Sequence, residues 1–190
     1  MDAIKAFATQ LNFETGVITG AKTLIQRRLS NMHGMYADSA ATEQILSKED
    51  RLIYEVYATA LPETAANILY CTTIIYPGTV GDEYHMTKGH YHSKRDRGEV
   101  YFGLAGQGYL LLQNEDGDYD ALPMEAGTIA YVPPYYAHRT LNSGDDPFIF
   151  FAAWSGDAGH DYGSIESTGF PQLVVKRDGQ PQLIDNPHFV

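Results

Sequence analysis

Residues 89–108 read GHYHSKRDRGEVYFGLAGQG: two histidines one residue apart, a charged run, then a glutamate that opens an apolar, strand-like stretch. Along a strand, side chains i and i+2 project to one face, so His90 and His92 can both reach a single ion. Glu99 begins the next apolar run and shares a face with Tyr101. Further on, residues 127–142 read GTIAYVPPYYAHRTLN, where His138 starts another strand-like segment with Thr140 and Asn142 on its own side. Three imidazoles and one carboxylate form a mixed N/O donor set that suits a first-row divalent metal and leaves positions for water or substrate. The set fits iron, manganese, nickel or zinc and does not choose among them.

Taken singly, each of these residues has an ordinary structural explanation. An HxH pair is commonly a surface coincidence, a lone glutamate a strand-edge charge, and a lone histidine a hydrogen-bonded core residue. The joint spacing carries the metal reading.

Outward from these motifs the chain is β-rich. From Asn67 it runs through NILYCTTIIYPG, GEVYFGLAG, QGYLLLQNEDGD, GTIAYVPP, AHRTLNSGDDP and FIFFAAW, broken by Gly, Pro and Asp. Short strands at this spacing predict an antiparallel sandwich or barrel. IYEVYAT, 53–59, reads as the first well-marked strand. DSAATEQILSKED, 38–50, reads as a short helix capped by Asp38 or Ser39, with Ile45 and Leu46 inward. The tail QLVVKRDGQPQLID predicts a hairpin with Asp178 and Gly179 in its turn. No linker and no repeat of fixed period interrupts the chain. The expectation is one domain over 1–190, with a core barrel at about 52–155 between an N-terminal extension, 1–51, and a C-terminal extension, 156–190.

The net charge of -11 argues against non-specific nucleic-acid binding, which needs a basic footprint. It also opposes an anionic substrate unless local dipoles or a metal reverse the field at the site. Cys71 is the single cysteine, so no intrachain disulfide forms and a reducing cytoplasm is the simple expectation. MDAIKAFATQLNFETG, interrupted by Gln10, Asn12 and Glu14, lacks the apolar core of a signal peptide. No window approaches the roughly 20 apolar residues of a membrane span.

The two motifs resemble those of the cupin superfamily. In the first, an HxH pair and a glutamate are followed by six residues and a glycine, Glu99 to Gly106. In the second, Gly127 is followed by five residues and Pro133, then His138 and Asn142. Tyr135 stands where the second motif usually has glycine, and the gap from His92 to Glu99 is longer than usual. Both departures are loop features and remove no ligand position. The resemblance implies an all-β cupin fold: a jelly-roll barrel (a double-stranded β-helix) with a short N-terminal helical region and a C-terminal β-hairpin.

NFETGVITGAK, YEVYAT, TTIIYPGTVGDEYHMTKGHYHSKRDRGEVY, VPPYYAHRTLNSGDDPFIFFAAW and DAGHDYG together are similar to the cupin-type glucose-6-phosphate isomerases known best from archaea. The similarity covers most of the chain, and TKGHxH and DAGHDYG are distinctive of that family. The SKRDRG insert belongs to the same pattern. This resemblance implies a homodimeric cytoplasmic enzyme of glycolysis and gluconeogenesis, with one divalent metal per subunit, iron(II) foremost. It places metal ligands at His90, His92, Glu99 and His138, with Glu99 and His138 catalytic. It places substrate contacts at Tyr54, Thr73, Thr87, Gly89, Tyr101, His160 and Tyr162. Trp154 departs from relatives that carry tyrosine there, though its indole N–H can still donate.

Residue chemistry adds detail. The hydroxyls of Thr73 and Thr87 and the unobstructed N–H of Gly89 suit a phosphate. His160 and Tyr162 lie in a Gly-flanked loop that could close over a ligand. Lys88, Lys94, Arg95 and Arg97 form a candidate positive rim that would steer a sugar phosphate. Against these stand strand propensity for Thr73, aromatic packing for Tyr54 and Tyr101, and ordinary solvation for the charged loop. His33, His85 and His188 take no role. The cupin fold also hosts metal-dependent dioxygenases and non-catalytic sugar-phosphate binders, which are the competing readings.

Overall fold

The structure is a computed structural model describing residues 4–189; Met1–Ala3 and Val190, the outermost residues of the two expected extensions, lie outside the described residues. Alternating apolar and polar residues, cut by Gly, Pro and Asp, set short strands rather than helices. Two strands, β1 (Gln10–Leu11) and β2 (Ile18–Thr19), pair as a small N-terminal ribbon, followed by β3 (Thr23–Arg28) and a 3-10 turn at Leu29–Met32. Helix α1 (Ser39–Leu46) begins at Asp38, whose carboxylate accepts the Ala41 N–H at 2.8 Å. Both Ile45 and Leu46 pack against the core, as the sequence predicts.

Then come β4 (Leu52–Ala58), β5 (Ile68–Ile75), β6 (Thr79–Val80), β7 (Glu83–Tyr84), β8 (Glu99–Ala105), β9 (Gln107–Gln113), β10 (Tyr119–Glu125), β11 (Ile129–Val132), β12 (Ala137–Asn142) and β13 (Phe148–Ser155). A short helix, α2 (Gly163–Thr168), precedes the closing hairpin of β14 (Gln172–Arg177) and β15 (Gln180–Asp185). In that hairpin Asp178 and Gly179 both take positive φ, 52° and 76°, the geometry that matches strand twist.

One sheet has the order β11-β8-β13-β5-β4-β3, and a second has β10-β9-β12. The segment before β8 joins the second sheet through bridges from Met86 to Leu141 and from His90 to His138. These two layers enclose the barrel interior. Strand β3 belongs to the larger sheet, so the region preceding residue 52 supplies a barrel strand as well as the helical turn. Along β8 the burial alternates: Glu99, Tyr101 and Gly103 face in, while Val100 and Phe102 face out. Apolar side chains from the N-terminal turn (Leu29, Met32), the barrel (Ile53, Leu110, Phe148) and the C-terminal region (Phe170, Val174) form one contiguous core. The glycine of the first motif, Gly106, has φ 71° and, though exposed, sits so close to the Pro147 carbonyl that a Cβ would collide with it.

Candidate active site

The segment bearing the first two histidines is less regular than a strand. His90 and Tyr91 lie in isolated bridges, to His138 and Asp161. The His90 N–H donates to the His138 carbonyl at 3.1 Å, and the His138 N–H returns the bond at 3.0 Å. Histidines from the two motifs are thus directly opposed, with ring centroids 4.3 Å apart. A reach of i and i+2 survives without a continuous ladder, because backbone pairing at 90 and 91 keeps the chain extended.

Gly89 begins this turn at φ 75°. A Cβ there would stand 3.1 Å from Cβ and Nε of Arg139 and from the Phe170 ring, so only glycine fits without displacement. The buried Arg139 guanidinium holds the preceding carbonyl, Lys88 O, through Nη2 at 2.7 Å and Nε at 3.2 Å. It also lies over the Phe170 ring, 4.9 Å from its centroid. The backbone entering the histidine pair is therefore clamped from behind.

His90, His92, Glu99 and His138 each offer one ligand-capable atom within 4.8 Å of the others. His92 Nδ1–H donates to the Arg97 carbonyl at 2.9 Å, which turns Nε2 toward Glu99 Oε2 at 3.0 Å. His138 Nε2 stands 3.2 Å from the same oxygen. Nε2 of His90 and both ring nitrogens of His138 are buried without a hydrogen-bond partner. Such orphaned nitrogens are rare and costly in an interior. Lone pairs converging beside a buried carboxylate are the donor set a divalent cation takes, and these residues fit one.

Electrostatics agree. Burial works against an ionised Glu99, but the close approach of His138 and the hydrogen bond from His92 outweigh it and draw the carboxyl down to about 2. Burial, reinforced by the neighbouring His138, His160 and His92, pushes His90 far below its ordinary value and keeps it neutral. For His92, burial opposes the charged ring, yet the Glu99 carboxylate and the Arg97 carbonyl prevail and raise it.

This cluster opens into a cavity of about 470 Å³. Tyr54 on β4, Thr73 on β5, Thr87 and Gly89 before the histidines, Tyr101 on β8, and His160 and Tyr162 before α2 all line it, with His90, Glu99 and His138. His92 contacts Glu99 without lining the cavity. Every sequence-predicted position is thus brought to one place. Thr87 Oγ1 accepts the Thr140 N–H at 3.1 Å and keeps its own hydrogen to donate. The rings of His160 and Tyr162 stack at 5.8 Å, and His160 lies 4.5 Å from His90, so the DAGHDYG loop covers the cluster. Trp154 lines the cavity too, directly across the ladder from Glu99.

One expectation changes. Lys94 and Arg97 both bind Asp157, at 2.6 and 2.9 Å; Arg95 binds Asp161 at 2.6 Å, and Lys88 binds Glu166 at 3.1 Å. The anticipated positive rim is neutralised by acids about 60 to 80 positions later in the chain. SKRDRG instead acts as a strap that ties the histidine segment to the loop carrying His160 and Tyr162. Asn142, which ends the second motif, is fully buried and donates to the carbonyls of Ile75 and Asp146, both at 2.8 Å. It braces the barrel away from the cavity.

Sequence reasoning missed part of the wall. Val56 and Ala58 share the Tyr54 face of β4, and simple alternation would have found them. Thr23 and Ile25, on β3, carried no comparable signal. The buried Cys71 also lines the cavity, and burial pushes its thiol up to about 12, leaving it protonated and inert.

A two-layered β-barrel with a His/Glu cluster at the floor of its cavity defines a cupin with a candidate metal centre. Its backbone is similar to a solved oxalate oxidase structure, at a TM-score of 0.50 and 12% identity over 62% of this chain and 58% of that one, a likeness of fold alone. The profile of the family described as "Glucose-6-phosphate isomerase (GPI)" matches residues 26–187, and the chain belongs to that family. A relative from Pyrococcus abyssi named glucose-6-phosphate isomerase is 51% identical over 180 residues, 95% of each chain. One of the same name from Thermococcus litoralis is 51% identical, covering 96% of each. Another, from Sinorhizobium medicae, is 34% identical over 91% of this chain and 81% of its own.

Proposed function

We propose that this chain is a metal-dependent aldose–ketose isomerase that interconverts glucose 6-phosphate and fructose 6-phosphate, in glycolysis and gluconeogenesis. The observation that carries the reading is the buried His90, His92, Glu99 and His138 cluster at the floor of a 470 Å³ cavity, in a member of this family. Family membership and the phosphate-suited Thr73, Thr87 and Gly89 disfavour a dioxygenase, and the intact ligands disfavour a binder without turnover. The four residues would hold one divalent ion. Iron(II) is proposed on the family resemblance, with manganese, nickel and zinc as the alternatives to test. A bound metal would supply Lewis acidity and a template for the sugar oxygens.

The chain's own groups do the rest. Thr73, Thr87 and the Gly89 N–H hold the phosphate end, while Tyr54, Tyr101, His160 and Tyr162 enclose the open-chain sugar. Hydrogen must pass between C2 and C1, either through Glu99 as base or directly between the carbons. A carboxylate that would be bound to the metal is made less basic by it, which favours direct transfer with Glu99 and His138 fixing the reacting end. Under that route little solvent hydrogen enters C2 of the glucose 6-phosphate formed, and extensive exchange would restore Glu99 as the base.

The chain is read as one domain, because its core is contiguous from the N-terminal turn to β14. It is read as a cytoplasmic homodimer. The outer face of β8 and β11 supports this, since Val100, Phe102, Ile129 and Tyr131 are exposed together in a paired register. Among the described residues no helix is long and apolar enough to cross a membrane.

The test is conversion of fructose 6-phosphate to glucose 6-phosphate, read through a coupled dehydrogenase. Protein stripped by chelator should lose turnover and regain it with one of the four metals. No activity with any metal at confirmed occupancy would overturn the isomerase reading.

A further inference from the structure

A sugar phosphate carries about two negative charges near neutrality, because its second ionisation lies near 6. The chain that must bind it has a net charge of -11. The phosphate-suited donors described above, two hydroxyls and one backbone N–H, are neutral. The basic loop residues that could have supplied charge are paired with Asp157, Asp161 and Glu166. Buried Arg139 spends its guanidinium on the Lys88 carbonyl. Apart from the ion that the His/Glu cluster would hold at the reacting end, none of these supplies a cation for the phosphate.

Arg27 meets the requirement. It lies on β3, where Thr23 and Ile25 line the cavity, and it shares their side of the strand by period-two alternation. It is half-buried, as Ile25 is, between the exposed Gln26 and Arg28. Its register partner on β4 is Tyr54, a cavity residue, and directly opposed side chains are neighbours on one face. Ion pairs among the described residues engage Arg51, Lys88, Lys94, Arg95, Arg97 and Lys176, and none includes Arg27.

We infer that Arg27 is the substrate-phosphate counter-ion of this cavity: its guanidinium reaches past Tyr54 and Tyr162 to the phosphate and sets the preference for phosphorylated over free sugars. The inference rests on the isomerase reading and deepens it. The two phenols give independent support. Burial pushes Tyr54 up to about 12 and raises Tyr162, while the Arg27 charge acts on both in the opposite direction, which places the guanidinium beside them. A guanidinium is suited to the role because its planar fork binds phosphate through two parallel N–H bonds.

Arg27→Gln tests it without threatening the core, since the side chain is half-exposed on an edge strand. A hydrogen bond to a charged group contributes about 1.5–3 kcal/mol, so KM for fructose 6-phosphate should rise roughly 10- to 100-fold. Meanwhile kcat should stay within about threefold and metal content should not change, because the lost contact is remote from the reacting carbons. Arg27→Lys should recover part of the loss. A second readout does not require turnover: Trp154 is the only tryptophan and lines the cavity, so its fluorescence reports ligand entry. In metal-loaded protein, Arg27→Gln should weaken glucose 6-phosphate binding about as much as KM rises and leave glucose binding unchanged. Equal weakening for both sugars, or unchanged glucose 6-phosphate affinity, would overturn the assignment. An inactive wild type that still shows the Arg27-dependent preference would sink only the isomerase reading.

Discussion

Two clusters of opposite charge stand side by side in this protein and differ in one respect. The buried cluster of His90, His92, Glu99 and His138 leaves ring nitrogens without partners. The surface cluster of Lys94, Arg95, Arg97, Asp157 and Asp161 satisfies its charges internally. Charges that complete one another make a tie between segments. Donors that converge with capacity left over make a site for something else. The sequence places both clusters within a few residues of each other, and only the partners tell them apart.

The contrast can be broken at its strongest point first. Glu99→Gln removes the single negative charge from the buried cluster. Because altering groups behind metal ligands already costs about 10- to 100-fold in affinity or activity, loss of this ligand charge should lower metal affinity by at least that factor. Metal analysis beside turnover checks it. Near-normal turnover in fully metallated Glu99→Gln would remove the carboxylate from the chemistry altogether.

Next in size is Arg139→Met, which leaves the buried Lys88 carbonyl without its two donors. An unsatisfied buried acceptor costs about 1–3 kcal/mol, so urea unfolding should shift by that amount. The Gly89 turn should loosen with it and raise KM for the sugar phosphate.

Asp157→Asn attacks the surface cluster instead. It should leave metal content intact and turnover within about threefold, because Asp157 touches none of the metal ligands, while exposing SKRDRG to proteolysis. The same residue sharpens the contrast by pH. Arg97 foremost, then Lys94 and Ser155, hold its carboxyl far below the ordinary carboxylate range. A depressed folded-state value contributes stability that is present above the unfolded value of about 3.9 and is lost as the pH falls toward the folded value. The stability gap between wild type and Asp157→Asn should therefore be full at pH 7 and shrink below about pH 4.

The smallest effect is expected at Tyr135, which takes φ 71° where the motif usually has glycine. Relief of that strain in Tyr135→Gly, about 1–2 kcal/mol, is offset by the greater unfolded-state freedom of glycine. Thermal unfolding should move by only a few degrees.

Much of the molecule is legible in its residues. β-rich runs broken by Gly, Pro and Asp marked the longer strands between Leu52 and Ser155, and Asp38 and Asp178-Gly179 marked a helix start and a hairpin turn through local backbone chemistry. Metal-ligand spacing was legible because i and i+2 project together whether or not the segment is a regular strand. The charged loop was misread for the opposite reason: Lys94 and Arg97 lie 63 and 60 positions before Asp157, and no local pattern reports a partner that distant.

The amino-acid order by itself determined which side chains could chelate, which turns could close, and which strands had a buried face, since those depend on residues within a few positions of one another. Tertiary structure alone decided that SKRDRG is a strap, that Asn142 braces the barrel, and that Arg27, outside every ion pair among the described residues, stands across the ladder from Tyr54. Charge and hydrogen-bond satisfaction depend on distances across the fold, and those distances exist only once the two sheets have closed.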